Sequence, residues 1–232
     1  MPVTTENNSK EKKRNKRPLT RKSILTSALK MADKQGLAKL SMRSIAKKLG
    51  VEAMSLYNHV KNKEDILDGI VDLIFNELTW PADGSNWKKS MRLRAISTRE
   101  VLGKHPWAVS LLESRPNPGP ITLMHHDRVI GCLRQAGFSL KLTGHAFSAL
   151  DAYTYGFIMQ EQALPFDTAE ELKAIADMIL ENFPKDEMPN LFEFTSDYVL
   201  QPGYSYSNEF LYGLDLLLDG LESRHENQAD SK

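Results

Sequence analysis

The sequence predicts an all-α protein: a small N-terminal unit of three helices built around a helix-turn-helix, followed by a larger helical body. Three observations carry this. Apolar residues recur three and four apart in successive windows, and no stretch alternates in the manner of a strand. The segment Leu40–Leu67, LSMRSIAKKLGVEAMSLYNHVKNKEDIL, sets two short helices around Gly50. Charge is divided along the chain: residues 1–66 hold 16 Lys+Arg and 6 Asp+Glu, a net +10, and the remainder holds 14 and 24, a net −10.

Residues 1–18 form a basic tail. Its run KEKKRNKR, Lys10–Arg17, reads either as a solubilising disordered arm or as a weak phosphate contact. Thr20 is a cap for a helix from Arg21 to Lys34, with Ile24, Ala28 and Met31 turned inward. In the motif, Met42, Ile45, Ala46 and Leu49 make one apolar face. Ser41 is placed to accept from the first free N–H groups, and Gly50 to end the helix in a left-handed conformation. Ala46 is small enough for two helices to cross closely. Glu52 or Ala53 opens the second helix, whose Leu56 and Val60 face inward.

A fourth helix, about Lys63 to Leu78, carries Ile66, Ile70, Val71, Ile74 and Phe75. Trp80–Ser85, WPADGS, is the clearest break. Further helices are expected near 85–104, 107–113, 120–136, 139–162, 168–183 and 204–224, with prolines 116, 118 and 120 interrupting the second and third of these. The implied division is a tail at 1–18, a helix-turn-helix unit at 19–66, a larger helical body at 67–225 and a second tail at 226–232.

The second motif helix has few apolar residues and presents Met54, Ser55, Tyr57, Asn58 and His59 outward. Asn pairs with adenine edges, Ser with several bases, and Met or Tyr with thymine methyls or phosphates. Lys61 and Lys63 follow, where they neutralise phosphates. A basic N-terminal unit on an acidic body is the electrostatic footprint of a protein that meets nucleic acid at one end.

The pieces ILTSALKMADKQG and LSMRSIAKKLGVEAMSLYNHVKNKEDILD resemble the DNA-binding domain of the tetracycline-repressor (TetR) family. Ser114–Pro116, QAGFSL at 135–140 and EFLYGLDLLLDGLE at 209–222 are similar to the family's ligand-binding domain. The resemblance implies a helical homodimer that binds a palindromic DNA operator and releases it when a small molecule fills a pocket in each larger domain. It also implies that the helix from Lys63 transmits the signal. It places Arg43 and Ser44 at the start of the first motif helix as DNA contacts, with Met54, Ser55, Tyr57, Asn58 and His59 in the recognition helix and Lys63 beside the backbone.

For the ligand, the resemblance gives Thr79, Arg94, Thr98, Leu111, Ser114, Arg115 and Pro116. Leu111 stands where the tetracycline repressor uses a histidine to hold a drug-bound magnesium, and a leucine cannot coordinate a metal. Magnesium-tetracycline is therefore not the expected inducer. Trp107, His145, Tyr153 and Gln160 are further residues expected to face the cavity.

The terminal helices suggest pairing of two chains. Phe210, Leu214, Leu217, Leu218 and Leu221 form an apolar stripe, and Phe147, Leu150, Tyr153, Phe157 and Ile158 form another. A four-helix bundle between two subunits would bury both, and so would packing within one chain. With 41% hydrophobic residues the chain can support a core, and no apolar run approaches a membrane span. The polar, lysine-rich start has no apolar signal region, and the one cysteine, Cys132, leaves the cytoplasm as the expected compartment.

Cys132 lies in an apolar-periodic stretch and is expected to be buried. No pair of histidines has the i, i+4 spacing of a helical zinc site, and no carboxylate pair accompanies a nucleophile motif or phosphate loop. No metal, cofactor or catalytic residue is therefore assigned. The rival readings are a nucleoid-type DNA-binding protein and, from another class, a helical enzyme.

Overall fold

The computed structural model describes residues 18–80, 86–181 and 183–229. Residues 1–17 of the basic tail and the Pro81–Ser85 part of the junction lie outside the described residues. Among those described, the chain forms α1 Arg21–Gln35, α2 Met42–Leu49, α3 Ala53–Leu56, α4 Lys63–Phe75, α5 Trp87–Lys104, α6 Ala108–Ser114, α7 Pro120–Gln135, α8 Leu140–Gln162, α9 Ala169–Leu180, α10 Pro189–Phe194 and α11 Tyr206–Ala229, and no strand.

Local chemistry sets the boundaries. The Thr20 hydroxyl accepts from Ser23 N–H, and the Ser23 side chain returns the bond, closing a capping box on α1. Ser41 and Ser44 do the same for α2. Gly50 ends α2 at φ 69°, ψ 35°, a left-handed conformation that costs a glycine little. Asn62 caps α4, Asn86 caps α5 and Ser139 caps α8.

Two cores result. The first joins α1, α2, α3 and α4 through Ile24, Ala28, Ile45, Leu56, Ile66 and Ile70, all fully buried, and runs on into Leu102, Ala108 and Val109 at the α5–α6 corner. The second joins α5, α7, α8 and α11 through Met91, Val129, Leu133, Leu150, Phe210, Leu214 and Leu218. The N-terminal unit is thus packed continuously onto the body.

Several elements differ from expectation. α3 ends at Leu56, and Tyr57, Asn58 and His59 follow as a turn in which His59 and Val60 N–H both bond the Leu56 carbonyl. α4 stops at Phe75 and continues as a turn to Leu78, whose side chain is buried. α9 ends at Leu180. α10 and the π-type turn Thr195–Val199 have no counterpart in the sequence reading. α11 extends to Ala229, because His225 stacks on Phe138 with ring centroids 4.3 Å apart and ties down the last turns.

The apolar stripes of α8 and α11 are covered largely within one chain, one of the two arrangements that the sequence leaves open. Phe210, Leu214, Leu218, Leu150, Phe157 and Ile158 are buried within a single chain, because α8 and α11 pack on each other and on α5. Leu217 and Tyr153 are partly buried against the same core. Cys132 is only half-buried, and its thiol pKa is raised by desolvation.

Candidate DNA-reading face and ligand cavity

α2, α3 and the turn after α3 bring most of the expected DNA-contacting residues to one exposed surface. Met54 is 75% and Tyr57 49% exposed. Arg43, Asn58 and His59 are exposed, while Ser55 and Lys63 are partly so. Ser44 differs: its hydroxyl accepts from Ser41 N–H at 2.9 Å and lies 3.0 Å from the Lys39 carbonyl, so it is committed to the cap.

Asp65, which sequence reasoning missed, fixes this surface from behind. Its carboxylate accepts from Arg21 Nη1 and Nη2 at 2.9 and 2.7 Å and from Lys61 N–H at 2.8 Å. The Arg21 hydrogen bonds hold its pKa below the ordinary aspartate value. One side chain thereby ties the start of α1, the turn after α3 and the start of α4.

α4 runs from this face to a cavity of about 640 Å³ in the body. Val71 and Phe75 enter its wall from α4, Leu112 and Arg115 from α6 and just beyond it, Thr122 and His126 from α7, and Phe147, Ser148, Asp151, Ala152, Tyr155 and Met159 from α8. The α8 set lies at steps of about one helical turn, a mixed apolar and acidic stripe that was present in the sequence signal.

Of the expected ligand residues, Arg115 lines this cavity. Its Nε donates to Asp68 at 2.6 Å and its Nη1 to Glu64 at 2.5 Å, both on α4. Burial opposes its charge, but these bonds outweigh it and raise its pKa. Arg94 sits one contact behind the wall, 3% exposed, with Nη2 2.7 Å from Asp151. Thr98 is buried and donates to the Arg94 carbonyl at 2.9 Å.

Thr79, Leu111, Ser114 and Pro116 do not line the cavity. Thr79 N–H bonds Ser97 Oγ, Leu111 is buried, and Ser114 bonds the Leu111 carbonyl. Trp107, His145, Tyr153 and Gln160 are not on its wall either. Trp107 Nε1 donates to Asp33, His145 lies in a separate groove between α8 and α11, and Tyr153 and Gln160 bond to α11.

The histidines next to the cavity are held uncharged. Burial lowers the His125 pKa to about 3, helped by Arg94 and His126. Burial also lowers that of His126, with Asp151 opposing. Among the described residues neither ring nitrogen of His125 has a hydrogen-bond partner, nor does Arg94 Nε. Among the described residues no group of three or more His, Cys, Asp or Glu is arranged to hold a metal ion. No helix there is long and apolar enough to cross a membrane.

Two family models match the chain: "Bacterial regulatory proteins, tetR family" over residues 24–70 and "Tetracyclin repressor-like, C-terminal domain" over residues 80–225. Tetracycline repressor protein class D of Escherichia coli is 31% identical over 88% of this chain and 89% of its own length. An HTH-type transcriptional regulator of Saccharopolyspora erythraea is 36% identical over 64% of this chain, which spans 63% of that relative. The solved structure of ActR from Streptomyces coelicolor in complex with actinorhodin, at 25% identity, superposes with a TM-score of 0.75 over 89% of this chain and 96% of that one. The chain belongs to the TetR family of ligand-responsive, DNA-binding transcriptional regulators and is not an enzyme.

Proposed function

We propose that the protein is a repressor that binds a palindromic double-stranded operator as a homodimer in the cytoplasm and leaves it when a small organic molecule fills the 640 Å³ cavity. One observation carries this reading: α4 belongs to both places. Lys63 and Asp65 stand at its DNA-facing end, and Val71 and Phe75 line the cavity further along it, about 9–18 Å away at 1.5 Å per residue. A ligand that displaces Arg115 or Phe75 therefore shifts the element on which the recognition turn rests.

Dimerisation is supported by the apolar surface that one chain leaves uncovered. Leu216 and Tyr212 on α11, Leu140 at the start of α8, and Met178 and Ile179 on α9 are each more than half exposed. Leu111 is buried and cannot ligate a metal, so the inducer of this reading is not a magnesium chelate held in the manner of tetracycline.

The test has two parts. Selection of genomic fragments by the purified protein should return a palindromic site. Arg115→Ala should change the inducer response more than the operator affinity, measured by fluorescence anisotropy. Equal loss of both would show that Arg115 acts only in folding.

A further inference from the structure

We propose that Glu52 reads a cytosine in each operator half-site, accepting a hydrogen bond from its N4 amine in the major groove. This rests on the proposed operator binding and adds to it a residue that determines sequence specificity.

The acids of the N-terminal unit set Glu52 apart. Residues 19–66 hold ten Lys and Arg but only four carboxylates: Asp33, Glu52, Glu64 and Asp65. Three of the four are committed to the fold. Asp33 lies 2.6 Å from His105 Nδ1 and accepts from Trp107 Nε1 at 2.9 Å. Glu64 accepts from Arg115, and Asp65 from Arg21 and the Lys61 amide. Glu52 is exposed, and among the described residues its carboxylate has no ion pair and no hydrogen bond. Lys47 and Lys48, close before it in the chain and also exposed, do not pair with it.

Glu52 stands at the entrance of the recognition helix. It is the N-cap residue of α3, and its carbonyl accepts from Ser55 N–H at 3.0 Å. Its side chain makes no capping bond. In a helix-turn-helix the first residues of the second helix meet base edges. The backbone of Glu52 is thus fixed at that end of α3, while its carboxylate is left free beside the exposed Met54.

Charge then selects the base. A carboxylate brought among phosphates is repelled, and losing its water without gaining a donor costs still more. A base amine offsets both. Guanine presents N7 and O6 in the major groove and thymine O4, all of them acceptors. Adenine sets an N7 acceptor beside its N6 amine. Cytosine alone offers an amine with no acceptor on the same edge, so it is the base that suits a carboxylate.

Selection from a random duplex library at about 0.15 M salt, by the full chain and by Glu52→Ala and Glu52→Gln, tests this. The unaltered protein should return a palindromic site with a cytosine in each half that Glu52→Ala no longer selects. In anisotropy titrations, replacing that cytosine should weaken binding by the unaltered protein roughly tenfold or more and by Glu52→Ala very little. Glu52→Gln should move the preference there toward adenine, which an amide pairs through N6 and N7. Both variants should also bind unrelated DNA more tightly, because a repelled charge is gone. Circular dichroism should show these exposed substitutions to be folded as before. If both variants return the same site with every base preference intact, Glu52 reads no base and the proposal falls while operator binding stands. If affinity rises by one factor for operator and unrelated DNA alike, Glu52 acts by repulsion alone and the proposal is overturned. Relaxation at a base other than cytosine overturns the assignment of the base. If the unaltered protein selects no site, operator binding falls and the proposal with it.

Discussion

Asp65 and His125 show two ways in which a single side chain controls this molecule. Asp65 holds three chain segments through charge-assisted hydrogen bonds, but Arg21 is 45% exposed, so solvent screens much of the energy. Asp65→Ala should therefore cost only about 1 kcal/mol in urea unfolding. It should weaken operator binding more, roughly tenfold, because the Lys61 amide and the turn before it lose their anchor. A folded pKa below the unfolded one makes this contribution complete above pH ~3.9 and lost as pH falls through the folded value. An unchanged anisotropy titration would remove Asp65 from the reading face.

His125 works in the opposite sense. Its pKa of about 3 lies below the unfolded value of about 6.5, so the unfolded chain binds the extra proton between these limits. Stability then rises with pH from about 3 to 6.5 and is flat above. At pH 5 the penalty is at most about 2 kcal/mol relative to pH 7. His125→Leu should remove that difference, read as the change in urea midpoint between the two pH values. Local features at this scale were legible in the sequence: Thr20, Ser41, Gly50, Leu56 and Val60 act within one helical turn of where the spacing put them. The partners of Arg115 were not, since Asp68 lies 47 residues away and only the fold brings it near.

Among the elements, α4 and α7 share an arrangement that spacing alone does not reveal. α7 begins at Gly119 and Pro120 without a cap of its own. Asp72 of α4 supplies one, accepting from Thr122 N–H at 2.9 Å and Thr122 Oγ1 at 3.0 Å. A Cβ on Gly119 would fall on the Asp72 carboxylate, although the glycine's φ of −75° suits any residue. Gly119→Ala should thus act through space and not through backbone strain, costing about 1–2 kcal/mol, the value of a lost N-cap. A thermal melt should fall by about 2–4 °C per kcal/mol; no fall would mean that α7 starts without Asp72. The same contrast explains the helix boundaries. Long amphipathic α1, α5 and α8 matched their periodicity, whereas α3 breaks at Leu56, where Asn58 and His59 prefer a turn and Val60 still reaches the core. α10 escaped notice because its Leu191 and Phe194 are exposed and six residues carry too little period to be read.

At the scale of the whole molecule, the +10 N-terminal segment and the −10 remainder orient the encounter with DNA, and in the proposed homodimer exposed apolar surface would join the two copies. The sequence exposes enough apolar helix to suggest pairing, but periodicity cannot separate a face that meets its own chain from one that meets another. Within one chain Phe210, Leu214 and Leu218 are buried, and Leu216, Tyr212 and Leu211 remain exposed on the same helix. Beside Leu216 runs a groove of about 910 Å³ between α8 and α11, floored by Leu142, Leu217 and Leu221 and edged by Lys141 and Arg224. In the proposed homodimer a second α8–α11 pair would occupy this groove in a four-helix arrangement, and a stable contact of this kind buries about 1,200 Å² or more. Leu216→Glu places a carboxylate at the exposed ridge without touching the core, so each chain should fold as before. Two copies of the charge should face each other across a twofold interface, because the same patch is used on both sides. Sedimentation at micromolar concentration should then show a monomer with unchanged helix content. Operator affinity should fall by two or more orders of magnitude, since two half-sites one DNA turn apart are no longer read together. A Leu216→Glu protein that remains dimeric and binds the operator normally would move the interface off α11.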